Sequence, residues 1–220
     1  MLDISRKLDD KLVIDDKEYL LNLSFDNVLK MFEMLRDEDI PKYVKPHLAI
    51  RMLISQSLEG ETREEKAKSF NKAFEGFSIE EMSKVFKSVF EEHISLSDVE
   101  DNHVEYDLAG NPMKTTASDD TKQRAPYDIR YDGDYIYSSF VQAYNMDLFD
   151  MQGKLHWRKF NALLSGLPEG TKLMEVIKIR KWKPQKGDSA EYKEEMRRLQ
   201  KDYALPNEII EEDEEYEEEF

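Results

Sequence analysis

The chain has 220 residues, enough for one large domain or two small ones, and 40% are hydrophobic, with 11 Phe, 11 Tyr and 2 Trp to build cores. Lys and Arg number 32 against 48 Asp and Glu, and the net charge of −16 opposes nucleic-acid and anionic-membrane partners unless it is unevenly spread. The lack of cysteine excludes disulfides, thiolate metal ligands and a cysteine nucleophile. No apolar run approaches the ~18 residues of a membrane span, and MLDISRKLDDKL has no signal-peptide core, so a soluble intracellular protein is expected.

Lys11 to Leu23 reads as two short extended runs around Asp15-Asp16, a small hairpin. Ser24 stands at an N-cap position before a helix whose Phe25, Val28, Leu29, Phe32 and Leu35 share a face. Beyond Pro41 and Pro46, HLAIRMLISQSL reads as a buried helix reaching Glu59-Gly60. Thr62 with Glu65, and Ser78 with Glu81, form capping boxes in which the hydroxyl takes an amide and the carboxylate reaches back. Ile79, Met82, Val85, Phe86, Val89 and Phe90 then repeat at helical spacing.

From Asp101 to Arg130 apolar residues are sparse, so this stretch reads as a linker. Helical spacing returns with Ile136, Phe140, Val141 and Tyr144, behind a turn capped near Asp132 or Asp134. It resumes with Leu155, Trp157, Phe160, Leu163 and Leu164, closed by a left-handed Gly166. Thr171 caps KLMEVIKIRKW, which stops before Pro184. Ser189 to Tyr203 forms a largely exposed helix with a stripe of Tyr192, Met196, Leu199 and Tyr203. The end, from Glu208 onward, holds nine acidic residues and no basic one, and is expected to be disordered and self-repelling.

The expected fold is therefore mainly α: two small helical units joined by a flexible linker, with a short N-terminal β-hairpin and a disordered acidic tail. The boundaries read 1–98 for the first helical domain, 99–130 for the linker and 131–186 for the second unit. Residues 187–204 form the exposed helix and 205–220 the tail.

No phosphate loop, nucleophile elbow or zinc helix is present, and the four histidines are scattered. DIRYDGDY starts like a calcium loop at Asp128 but fails at Arg130 and Ser139, the third and twelfth positions. His156, with Asp147 and Asp150 upstream, fits an amphipathic helix edge better than an acid–base cluster. No catalytic residue, cofactor site or metal site is expected. Lys178, Arg180, Lys181, Lys183 and Lys186 surround Trp182 as an electrostatic patch. These cations suit the negative end of a helix dipole; they could instead pair with the acidic tail of this or another chain, while a nucleic-acid face is disfavoured by the net charge.

The string from Tyr131 to Pro184 joins D-Y-I-Y-x-S-F, D-L-F, K-L-H-W-x-K-F, A-L-L-x-G-L-P and a closing basic K-P. It resembles a family of small proteins of tailed phages of Gram-positive bacteria, called gene product fifteen, encoded between the major tail protein and the tape measure. EYLLNLSFDNVLKMFEML looks like that family's strand-to-helix opening. The resemblance implies a non-catalytic tail assembly chaperone in the host cytoplasm, absent from the mature virion, that coats the tape measure protein. The tail tube protein and a second assembly chaperone are further partners it suggests; the oligomeric state stays open. A virion connector or tail-completion protein and an acidic DNA mimic are the competing readings. For a chaperone, Tyr137, Tyr144, Phe149 and Trp157 are the candidate client-facing residues, since a unit of about fifty residues cannot bury every large aromatic. Phe140 and Phe160 are expected in the core.

Overall fold

A computed structural model describes residues 4–8, 10–95, 107–111 and 126–206. Asp15 and Asp16 both take left-handed backbone, with φ of 46° and 62°. Two such residues make the tight turn whose twist matches paired strands, joining β1 (Lys11–Ile14) to antiparallel β2 (Lys17–Leu20) with Ile14 opposite Lys17. Tyr19 points inward and rests its ring 5.8 Å from Phe74, while Val13 and Leu20 lie on the solvent face.

The described residues contain eight α-helices, and the fold is mainly helical with this one hairpin. In the first unit, α1 (Phe25–Arg36) buries Phe25, Val28, Met31, Phe32 and Leu35. Helix α2 (Lys45–Leu53) carries Pro46 in its first turn, where the missing amide is harmless. It ends earlier than the sequence suggested, giving way to turns that still bury Ile54 and Leu58. Helices α3 (Arg63–Ala73) and α4 (Ile79–Val89) open with both expected capping boxes, Thr62 with Glu65 and Ser78 with Glu81. Helix α4 runs on as a π-helical turn over Phe90–Ile94. Ile79 departs from the expected apolar face and is exposed.

Two boundaries are corrected. The first unit combines the described residues up to Asn111 with Met146–Gly166; the second combines Pro126–Asn145 with the chain from Leu167. The span read as a single unit, 131–186, is thus divided. The physical reason is that Leu155, Trp157, Phe160 and Leu164 of α6 (Trp157–Ser165) complete the first unit's core. Phe160 stacks on Phe25 at 4.9 Å, and a short bridge joins the main chains, Phe25 N donating to Leu155 O and Trp157 N to Leu23 O.

The linker reading falls mostly outside the described residues, as does the acidic tail from Asn207. The described part of the linker is packed. Asp107 accepts hydrogen bonds from the Ala109 and Asn111 amides, and the Gly110 carbonyl takes both Nε and Nη2 of Arg36. Gly110 has φ +76°, and a Cβ there would come within 3.0 Å of Phe32. Only glycine fits that approach.

In the second unit, α5 (Gly133–Tyr144) buries Ile136, Ser139 and Phe140 against α7 (Lys172–Lys181). Ser139 Oγ donates to Tyr135 O and accepts from Leu173 N at 3.0 Å. Asn145, with φ 49°, is the left-handed residue closing α5, whereas Gly166 closes α6 at φ −88° without the left-handed geometry expected of it. Helix α8 (Ala190–Asp202) starts with Ser189 Oγ accepting the Tyr192 amide and buries Met196 alone. Ser24 and Thr171 occupy N-cap positions without capping through their side chains; the Thr171 hydroxyl donates to Pro168 O instead.

Candidate functional site

Three polar or aromatic clusters have geometry that could carry chemistry, and each turns out to hold the fold. In the first unit, Asp10 lies between two histidines. His156 Nε2 is 2.9 Å from Asp10 Oδ2, and His93 Nδ1 is 3.8 Å from Oδ1. His156 Nδ1 accepts the Arg158 amide at 3.0 Å, making this histidine the N-cap of α6. Accepting at Nδ1 leaves the proton on Nε2, which therefore donates to Asp10. Burial raises the Asp10 carboxyl, but the His156 hydrogen bond and the nearby His93 imidazole outweigh it and hold it well below the usual carboxylate range. The partner is Asp10, 146 positions away, and neither Asp147 nor Asp150. Both ring nitrogens of His156 are committed to structure, and among the described residues no hydroxyl completes a nucleophile–base pair with it.

Beside it, the Trp157 indole donates to Ile94 O at 3.0 Å, meets Phe32 edge-on at 5.6 Å and stacks on Phe160 at 5.9 Å. Trp157 is 0% exposed. The expectation that it faces a client is corrected: a fully enclosed indole is a core residue of the first unit.

In the second unit, Arg180 was read as part of a surface patch. Its guanidinium instead grips Asp132 with two 2.7 Å bonds, while Nε donates to Tyr203 O and Nη1 to Pro126 O. Asp132 also accepts the Asp128 amide, so the residue expected to cap α5 is used as the anchor of a buried ion pair. This fork-on-carboxylate geometry suits arginine specifically. Lys178, Lys181, Lys183 and Lys186 remain exposed.

What is left for partners is surface. Phe149, in the turn after Asp147, is 71% exposed, the largest exposure of any aromatic among the described residues. On α5, Tyr137, Val141 and Tyr144 follow at i, i+4 and i+7, which places them on one face; Val141 is exposed and both tyrosines are half-buried. Burial raises the Tyr144 phenol above its ordinary value. Sequence reasoning missed Val141 as a surface residue because it shares Phe140's apolar character.

A cleft of about 280 Å³ beside the hairpin is lined by Ile14, Lys17, Tyr19, Glu59, Ser69 and Lys72. It mixes charged tips with one ring and gathers no reacting pair. Among the described residues, no group of three or more His, Asp or Glu side chains is placed to hold a metal ion. No described helix is long and apolar enough to cross a membrane.

Comparison with curated proteins and with solved structures gives no match. A family model described as Bacteriophage Gp15 protein matches residues 8–205, which takes in both units and every described helix. The chain belongs to the Bacteriophage Gp15 protein family.

Proposed function

We propose that this phage protein is a non-catalytic tail assembly chaperone that binds the tape measure protein and keeps it soluble before the tail tube forms around it. The observation that carries the reading is the exposure of Phe149 beside a core that buries Trp157, Phe25 and Phe160 completely or nearly so. A large apolar side chain held out of a filled core loses the stabilisation of burial, and such residues are found where partners dock. The Tyr137–Val141–Tyr144 face of α5 supplies a second apolar surface on the other unit. Long amphipathic client helices match surfaces of this kind, read at spacings of three and four residues. The family membership supports the setting, and the structural commitment of Asp10, His156, Asp132 and Arg180 supports the absence of catalysis. The protein works in the host cytoplasm and leaves before the virion is complete.

The test is co-expression with the tape measure protein of the same phage. The tape measure should move from the insoluble to the soluble fraction only when this protein is present. Recovery of the protein at stoichiometric level from purified virions, with no effect on tape measure solubility, would replace the chaperone by a connector or tail-completion role.

A further inference from the structure

Between Lys178 and Lys201 the chain carries nine cationic residues and four carboxylates. The end of α7 and α8 pack on each other. Gln200 Nε2 donates to the carbonyls of Ile179, Arg180 and Trp182 at 3.1, 3.3 and 2.9 Å, so the last turn of α8 lies along the C-terminal end of α7. Trp182 and Tyr192 meet edge-on at 6.0 Å and hold the intervening loop against the start of α8. In the same unit, Lys178 stands in the last turn of α7, Lys183 and Lys186 in the connecting stretch, and Arg197 and Arg198 on the C-terminal half of α8. All five are exposed, and none makes an ion pair with a described residue. Arg180, in the middle of this stretch, is spent on Asp132.

The chain leaves α8 at the same place. The Tyr203 carbonyl is fixed by Arg180 Nε at 2.7 Å, and the description ends three residues later. The fourteen residues that follow, Asn207–Phe220, hold nine carboxylates and no cation. Fully extended they reach roughly 45–50 Å, far more than the return to α7 needs. A tether this short sets an effective concentration in the millimolar range.

We propose that Glu208–Phe220 docks in cis over the cationic face formed by the end of α7, the Trp182–Asp188 loop and α8. Single exposed ion pairs are weak, and the contact rests on many carboxylates meeting a cluster of cations at close range. It is therefore diffuse in geometry and sensitive to salt. The tail shields a basic face that would otherwise attract phosphate backbones, on a chain whose net charge is −16. This proposal is independent of how the client is held.

The test compares the full chain with a chain ending at Asn207, using a fluorescently labelled peptide of sequence Asn207–Phe220 as the probe. In about 50 mM salt the shortened chain should bind the peptide, and the full chain at least tenfold more weakly because its own tail occupies the site. Binding should vanish in about 500 mM salt, and the K183E/K186E double variant of the shortened chain should lose it at unchanged melting temperature. In the intact chain, which has no native cysteine, dyes at E194C and E218C should show energy transfer that falls between these salt concentrations. Equal peptide binding by both chains, no binding by the shortened chain, or salt-independent transfer would each overturn the proposal. So would a tail-dependent doubling of mass by light scattering, which would put the tail on a second copy.

Discussion

Asp132 and Arg180 lie 48 positions apart and face each other through two 2.7 Å hydrogen bonds, with side-chain exposures of 1% and 7%. Through the same guanidinium the second unit ties Pro126, the start of α5, the end of α7 and Tyr203 to one point. A buried ion pair of this kind is costly to halve, because the surviving charge stays desolvated. D132A or R180M alone should lower the unfolding free energy of the second unit by about 3–5 kcal/mol. The D132A/R180M double variant should lose less than either. Urea unfolding followed by near-ultraviolet dichroism of Trp182 would read the difference, and an additive double variant would show that the two residues act separately.

Trp157 gives the corresponding test in the first unit. Truncation of a buried tryptophan costs about 3–5 kcal/mol, and its indole proton also satisfies Ile94 O at the end of the π-helical turn. W157A should melt well below the wild type and lose its client only in proportion to unfolding. W157F should recover part of the loss, since it keeps the contacts with Phe32 and Phe160 but not the hydrogen bond.

How much of this was legible in the sequence depends on range. The capping boxes at Thr62 and Ser78 were readable because each partner stands three residues away. The hairpin was readable from Asp15-Asp16, since a tight turn is set by its own residues. The role of Trp157 was not: its acceptor Ile94 is 63 positions off, and helical spacing marks a face as apolar without saying which unit it closes. His156 was missed as a cap because imidazole is an unusual acceptor at that position, and Thr171 was over-read because a hydroxyl beside a helix start can turn to a nearby carbonyl. Arg180 looked like its neighbours in a basic run. Nothing local distinguishes the one buried cation that pairs with Asp132 from its four exposed neighbours.

The pH response follows from Asp10. Its carboxyl is held below its ordinary value of 3.8, so the folded state binds the proton less readily than the unfolded chain. The stability it provides is complete above the ordinary carboxylate range and is lost as pH falls through 3.8 toward the folded value. Thermal melts should show no contribution from this group to any change between about pH 7 and 5, and a steep one below about pH 4. D10N, which still accepts from His156, should cost about 1–3 kcal/mol at neutral pH and flatten the acid limb. An acid limb as steep as the wild type's would assign it to other carboxylates.

Replacing His156 separates its two bonds. H156N retains an acceptor for the Arg158 amide while giving up the geometry toward Asp10, whereas H156A removes both. The cap alone is worth about 1 kcal/mol, so H156A should melt below H156N. Equal melting temperatures would mean that the cap contributes nothing and the Asp10 contact everything.

Phe149 is exposed enough that F149S should leave stability within about 0.5 kcal/mol of wild type, and V141S should behave similarly on α5. The most direct measurement of the central claim is therefore a tagged pull-down of the co-expressed tape measure protein by wild type, F149S and V141S, each with its melting curve, in about 0.15 and 0.5 M salt. The expected result is retention by the wild type at both salt concentrations and at least a tenfold loss by the variants at unchanged melting temperature, as for an apolar docking residue worth more than ~1.4 kcal/mol. Full retention by both variants at low salt with release at 0.5 M would contradict it, placing client recognition on charge and leaving these exposed apolar residues without a part in it.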